Sequence, residues 1–386
     1  MALDKETLTH LLDTIERFVR ERLVPNEHKV ADDDAIPEDL VAEMKELGLF
    51  GLSIPEEYGG LGLTMEEEVQ VAFLLGGTSP AFRSLLGTNN GIGSQGIIID
   101  GTEEQKKYYL PKMATGEIIG SFALTEPDSG SDAASLKTTA VRDGDDYVLN
   151  GTKRFITNAP EASLFTVMAR TDPTNKGAGG ISAFLVEADR KGISLGPWDK
   201  KMGQKGAHTC DVIFEDCRVP AENMIGGPAM EGQGFKTAMK VLDRGRLHIA
   251  AVCTGVADRL IKDSLTYAME RKQFGQPIAD FQLIQAMLAD SKAEWYAAKS
   301  MVLDAARRKD AGENVGTEAS CAKLFASEMV GRVADRAVQI YGGAGYIADY
   351  GVERFYRDVR LFRIYEGTTQ IQQLVIARNM MREAQS

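Results

Sequence analysis

Cysteine and histidine are scarce in this sequence of 386 residues, with four of each. Cys210, Cys217, Cys253 and Cys321 are scattered, without CxxC spacing or a histidine at ligand spacing, so reduced structural thiols are expected rather than a zinc site or a disulfide framework. His10, His28, His208 and His248 stand alone, which leaves little material for a metal centre or a Ser/His/Asp triad. Long apolar runs are missing too. No stretch reaches membrane-spanning length, and the N-terminal residues form an amphipathic pattern, so no signal or transit segment is expected. Positive charge is in deficit: 44 Lys and Arg face 56 Asp and Glu, a net charge of −12. That balance speaks against a nucleic-acid partner while leaving room for anionic ligands held by a few local arginines. A soluble, cytoplasmic protein with no membrane and no nucleic-acid partner is expected.

What is present is ordinary globular composition, 44% hydrophobic and 26% charged, in a chain long enough for two or three domains. Leu8, Leu11, Leu12, Ile15, Phe18 and Val19 recur at helical spacing ahead of Pro25 and predict a first helix. A second is expected between Pro37 and Gly48, and Thr64 with Glu67 marks a capped third running to Leu75. Residues 80 to 100 read as helix up to Gly101; Thr102 with Gln105 opens a short one that Pro111 stops. Gly91-Ile92-Gly93-Ser94-Gln95-Gly96 is formally a GxGxxG, but its helical surroundings lack the strand that a dinucleotide fold needs.

From Ser121 the period changes to short β-rich runs: Ser121 to Thr125, Thr138 to Arg142, Tyr147 to Leu149, Arg154 to Thr157, Leu164 to Ala169, Ile181 to Val186 and Asp211 to Phe214. Asn150-Gly151 reads as a hairpin turn between two of them. After Gly234, residues 235–271, 281–308, 317–341 and a last segment opening at Thr369 carry Ala-rich or apolar faces suited to a four-helix bundle. The expected class is α+β: an N-terminal helical domain over 1–120, a middle antiparallel β domain over 121–232, and a C-terminal four-helix bundle over 233–386.

Four stretches carry candidate chemistry. Tyr365-Glu366-Gly367-Thr368 precedes the last helix, where Thr369 with Gln372 has capping-box spacing and Gly367 lets a ligand approach the backbone. Glu366 then lies just outside a helix N-terminus, where an apolar pocket would raise its pKa and the helix dipole would lower it. A carboxylate there is either a proton acceptor or simple dipole compensation. Phe122 to Asp132 leaves a strand into a turn rich in hydroxyls and acids, which suits an oxygen-rich planar ligand or an ordinary polar turn. Lys153 to Ala159 sets Phe155 near Thr157, a ring that could cover a flat ligand beside a donor for its edge. Gln339 to Tyr346 is a helix end whose glycines read equally as C-caps.

In register, Ala123 to Ser135, Gln339 to Asp358 and Tyr365-Glu366-Gly367-Thr368 resemble the signatures of the acyl-CoA dehydrogenase family, in its short-chain or glutaryl-CoA dehydrogenase-like branch. The likeness covers essentially the whole chain. It implies FAD bound between the β domain and the bundle, with contacts from Phe122, Leu124, Thr125, Gly130, Ser131, Phe155, Ile156 and Thr157, and further ones from Thr368 and Gln370. The family usually has Trp at Phe155, and many members have Gly at Asp128. Arg271, Phe274, Gln282, Gln339, Ile340, Gly342 and Gly343 match positions that reach the FAD of a neighbouring subunit, which implies a homotetramer, a dimer of dimers.

By the same resemblance Glu366 matches the catalytic base; branches with the base on the long helix after the β domain place it where this chain has Gly245. Asp243 and Arg246 match substrate contacts, and Ser131, Tyr365 and Gly367 belong to the thioester end. The implied reaction converts an acyl-CoA to a trans-2-enoyl-CoA. The Glu366 N–H and a flavin ribityl hydroxyl hold the thioester carbonyl, Glu366 takes the α-proton, hydride passes to flavin N5, and electrons go on to electron-transfer flavoprotein. An acyl-CoA oxidase is one alternative. Another rests on Arg83, which matches the arginine that glutaryl-CoA dehydrogenases use to hold a distal carboxylate, and so implies a dicarboxylyl-CoA of glutaryl or adipyl type. Otherwise Arg83 lies at the surface or pairs with a protein acid.

Overall fold

The computed structural model describes residues 2 to 385. The first part of the chain is helical: α1 (Lys5–Phe18), α2 (Glu27–Asp33), α3 (Glu38–Glu46), α4 (Met65–Gly76), α5 (Pro80–Gly87), α6 (Gln95–Asp100) and α7 (Glu103–Ala114). Helix α4 begins as its spacing predicts, with Thr64 and Glu67 closing a reciprocal capping box, and Thr102 with Gln105 does the same for α7. Residues 80 to 100 are not one helix. A wide π-type turn over Thr88–Gly93 separates α5 from α6, and buried amides stabilise it: Asn89 Nδ2 donates to the Phe50 and Met113 carbonyls, and Asn90 Nδ2 to those of Leu49 and Leu86. Nor does Pro111 stop α7. The helix completes another turn because Leu110, Met113 and Ala114 are buried, and that packing outweighs the one backbone bond the ring forfeits.

The sheet contains β1 (Gly120–Ala123), β2 (Thr139–Asp143), β3 (Asp146–Thr157), β4 (Leu164–Arg170), β5 (Ile181–Glu187), β6 (Ile193–Leu195) and β7 (Thr209–Pro220). Its order is β1-β4-β2-β3-β7-β6, with β5 on β4. The expectation of a purely antiparallel sheet is corrected here: β1 runs parallel to β4, from Gly120 opposite Leu164 to Ala123 opposite Val167. The chain reaches β1 from the helical layer and spends the β2–β3 hairpin before returning, so the two strands enter the sheet in the same sense. Asn150-Gly151 is also not a turn. It lies inside β3 at a register shift, where Asn150 Nδ2 donates to Asp216 Oδ1 and Asn150 Oδ1 accepts the Asp216 N–H. The hairpin falls earlier, at Gly144-Asp145, where Gly144 takes φ 66° between the Asp143 and Asp146 pair.

The remainder is α8 (Gly234–Glu270), a two-stranded hairpin of β8 (Lys272–Gln273) and β9 (Gln276–Pro277), α9 (Gln282–Asp310), α10 (Gly316–Tyr341), α11 (Val352–Val359) and α12 (Thr369–Glu383). Helices α8, α9 and α10 bury a core rich in small residues, including Ala250, Ala251, Ala305, Ala306, Ala322 and Ala326. Small side chains let the helix axes approach closely. The tightest crossing joins α4 to α8: a Cβ on Gly76 would overlap the Val252 carbonyl, and one on Gly255 the Phe73 carbonyl. Among the described residues no helix is long and apolar enough to cross a membrane. Where the sheet, the start of α8 and the turn before α12 meet, a cleft remains.

Candidate active site

The turn before α12 is the most constrained part of that cleft. Helix α12 is capped by Thr368, whose Oγ1 accepts the Ile371 N–H at 3.2 Å, one residue earlier than the Thr369 and Gln372 spacing suggests. Gln372 therefore does other work: its Nε2 donates to the carbonyls of Glu366 at 3.0 Å and Gly367 at 3.1 Å. From α10, the fully buried Lys323 donates to the same Gly367 carbonyl at 2.7 Å. Both turn residues have left-handed backbone, φ 52° at Glu366 and 87° at Gly367. Glycine adopts this freely, whereas a residue such as glutamate is strained by about 1–3 kcal/mol, which the surrounding clamps must offset. With both carbonyls engaged, the Glu366 N–H donates to no protein acceptor among the described residues.

The Glu366 carboxyl is held against protein on several sides, and its Oε2 has no hydrogen-bond partner among the described residues. Burial pushes its pKa up; Arg83, Lys323 and Arg246 pull in the other direction without cancelling the shift. The pocket thus prevails over the charges that would keep this carboxylate acidic. A Cβ on Gly245 of α8 would overlap Oε2, so the alternative base position and Glu366 converge on one spot. Replacing Gly245 by Ala forces only the flexible end of Glu366 to move. Turnover is expected to fall about 10- to 100-fold, the cost of a misplacement near 1 Å, while the helix gains up to about 1 kcal/mol from losing a glycine. Steady-state kinetics beside a thermal melt checks both halves, and unchanged kcat would show that the carboxylate has room to spare.

Facing Glu366 across a cleft of about 340 Å³ are Phe122, Leu124, Thr125, Gly130, Ser131, Phe155, Ile156 and Thr157, with Arg83, Arg246, Tyr365 and Gly367 also lining it. The hydroxyls of Thr125, Ser131 and Thr157 have no partner among the described residues, and an added Cβ on Gly130 would meet open space. Phe155 is held at φ 58° with its ring 57% exposed, a flat apolar plate at the mouth. A planar ligand with polar edges fits this donor set.

The loop that carries Thr125 to Ser131 is anchored from beneath by Glu126. Its carboxylate accepts Lys153 Nζ at 2.7 Å and the N–H groups of Lys137 and Thr138. Burial brings Lys153 down to about 8 despite that partner; burial is also the largest single influence on Glu126 and raises it, but the charge and hydrogen bond of Lys153 together with the bonds from Thr138 and Lys137 hold it low. Asp128 reaches across the exposed side of the loop to Lys137 at 2.9 Å.

Not every expected site residue reaches the cleft. Arg246 lines it and pairs with Asp243 at 2.6 Å, but Asp243 itself stands outside the lining. Thr368 caps α12, and Gln370 is exposed on its first turn. Arg271, Phe274, Gln282, Gln339, Ile340, Gly342 and Gly343 gather at the far end of the bundle around the β8–β9 hairpin, where Phe274 is 95% exposed. Arg83 is neither a surface residue nor paired. It is buried, makes no ion pair among the described residues, and its Nε lacks a partner. Sequence reasoning missed Lys323, Gln372, Lys153 and Glu126 as supports. The usable signal was Lys323, a lysine flanked at helical spacing by Ala319 and Ala326 on a buried face.

Comparison with known proteins agrees with this geometry. Models of the acyl-CoA dehydrogenase N-terminal, middle and C-terminal domains match residues 5–117, 121–217 and 232–381. The CarC subunit of the caffeyl-CoA reductase-Etf complex of Acetobacterium woodii is 42% identical over 387 residues, covering 98% of this chain and 95% of CarC. Among solved structures, butyryl-CoA dehydrogenase from Megasphaera elsdenii aligns with TM-score 0.94 at 35% identity over 99% of each chain. A glutaryl-coenzyme A dehydrogenase in complex with glutaryl-CoA aligns with TM-score 0.92 at 34% identity, over 99% of this chain and 96% of that one. The chain belongs to the acyl-CoA dehydrogenase family.

Proposed function

We propose that this protein carries out α,β-dehydrogenation of an acyl-CoA thioester to the trans-2-enoyl-CoA, with Glu366 as the base. The observation that carries the reading is the Glu366 carboxyl itself, unpartnered at Oε2, raised in pKa by burial, and set in a cleft beside its own unengaged N–H. A base poised above the ordinary carboxylate range is matched to abstracting a weakly acidic α-proton. The backbone N–H polarises the thioester carbonyl and supports the negative charge that develops on its oxygen as the α-C–H bond breaks. Glu366 takes that proton, and Arg246 and Ser131 line the same cleft. FAD would be held by Phe122, Leu124, Thr125, Gly130, Ser131, Phe155, Ile156 and Thr157, and when bound would supply the acceptor for the β-hydrogen and its electron pair.

Segments 1–120, 121–232 and 233–386 act as the three domains of this enzyme. In the distant group, Arg271, Phe274, Gln282, Gln339, Gly342 and Gly343 are exposed around a buried Ile340 and lie outside the cleft lining of their own chain, which suits contact with the cofactor of a second copy in a homotetramer. Electron-transfer flavoprotein is the natural electron acceptor, given the likeness to a subunit of an Etf complex. One observation favours a narrower substrate: the buried, unpaired Arg83 in the cleft lining is a ready partner for a distal carboxylate on the acyl chain.

Anaerobic bleaching of the flavin by butyryl-, hexanoyl-, glutaryl- and adipyl-CoA tests both levels. Bleaching by any of them supports the dehydrogenation, and absence of bleaching by all four counts against it. Bleaching chiefly by the two dicarboxylyl thioesters supports the narrower reading, and bleaching by the straight chains alone makes Arg83 a structural residue.

A further inference from the structure

Lys323 is a cation that the packing of α10 does not call for. Its helical neighbours Ala319, Ala322 and Ala326 are buried, it is fully buried itself, and it makes no ion pair with a carboxylate among the described residues. Its Nζ donates to the Gly367 carbonyl at 2.7 Å. The titratable and charged groups around it are Cys253 and Arg246 from α8, Glu366 from the turn, and Glu328 from its own helix; Arg83 from α5 faces Glu366 in turn. Burial draws the ammonium pKa down while Cys253 and Glu366 push it back. A leucine or methionine would fill this site without desolvating a charge, so stability alone gives no reason for a lysine here.

We propose that Lys323 is a positioning residue for the reaction. By holding the Gly367 carbonyl it fixes the left-handed Glu366-Gly367 turn, so that the Glu366 carboxyl and the Glu366 N–H both face the substrate. Its charge also offsets the burial of the carboxylate. Without it, Gln372 is left to hold both carbonyls, the strained turn relaxes, and one of three cations near Glu366 disappears.

The inference rests on Glu366 being the base, and the experiment separates the two. Wild-type and Glu366→Gln holoenzymes come first: if E366Q turns over normally, the base assignment fails whatever Lys323 does. Lys323→Met, Lys323→Gln and Lys323→Arg holoenzymes are then compared for bound FAD, KM, kcat and the pH profile of kcat. For K323M, kcat is expected to fall about 10- to 100-fold with KM within about twofold and FAD retained, the pattern of lost transition-state geometry rather than lost binding. Removing a cation beside a carboxylate raises its pKa, so the acidic limb of kcat moves to higher pH in both K323M and K323Q. K323R restores part of kcat and returns the limb toward wild type. Wild-type kcat and an unmoved limb in K323M overturn the proposal, as does a loss that merely follows lost FAD with the limb unmoved. Should K323M fail to fold, an unmoved limb and unchanged kcat in K323Q overturn it equally.

Discussion

Glu366→Gln is expected to cut turnover by about 10²- to 10⁴-fold, the usual worth of a general base, and at the same time to stabilise the folded protein at neutral pH. The two effects share one cause. Burial raises the Glu366 pKa in the folded state, with Arg83, Lys323 and Arg246 offsetting only part of the shift. A carboxyl whose folded pKa lies above its unfolded value gives stability that is fully present below the unfolded pKa and is lost as pH rises through the folded one. Above its unfolded pKa the carboxyl is therefore a net cost that the protein bears for reactivity, and a neutral amide of the same shape removes it. The denaturation midpoint of E366Q should exceed that of wild type at pH 8, with the difference shrinking at pH 5. Equal midpoint shifts at both pH values would mean that Glu366 is not held ionised against its surroundings.

The backbone plan was readable because each layer has its own period. Capping boxes at Thr64 and Thr102, alternating runs after Ser121 and Ala-rich helical faces after Gly234 are local signals, and each led to the element observed. The errors occurred where a tertiary partner overrode a local preference. Asn150-Gly151 carries the hairpin signature, yet Asp216 on β7 takes up the Asn150 side chain and the strand runs on. Pro111 lies inside α7 because the buried face of the last turn compensates for it. The cap of α12 moved to Thr368 because the Gln372 amide is engaged by two carbonyls of the turn before it.

For the site, Glu366 and Arg83 were found through motif register, since a lone acid near a helix start and a lone arginine in an apolar helix have bland readings of their own. What holds them was not legible. Lys323 and Gly367 are 44 residues apart, Lys153 and Glu126 are 27 apart, and no periodicity reports a contact between two elements. The left-handed backbone of Glu366 and Phe155 was hidden for the same reason, because neither residue type signals positive φ.

Arg83→Ala is expected to remove turnover of glutaryl- or adipyl-CoA while sparing butyryl-CoA. A guanidinium that meets a carboxylate in a water-poor pocket is worth about 2–5 kcal/mol to the complex, roughly 30- to 5,000-fold in kcat/KM. A butyryl chain ends before any such contact and has nothing there to lose. Arg83 has a second role open to it, because its charge also opposes the rise in the Glu366 pKa. Its removal therefore drives that pKa further up, and an assay at mildly acidic pH would slow every substrate together. The comparison belongs on the alkaline plateau of each protein's own pH profile, where the base no longer limits the rate and only the contact with the distal carboxylate differs. Since Arg83 makes no ion pair with a protein carboxylate among the described residues, its loss breaks no salt bridge, and Glu366 keeps Lys323 and Arg246 as neighbouring cations. Equal losses on butyryl- and glutaryl-CoA on that plateau would reduce Arg83 to an electrostatic companion of the base; a loss confined to the dicarboxylyl thioesters would make it the residue that selects the substrate.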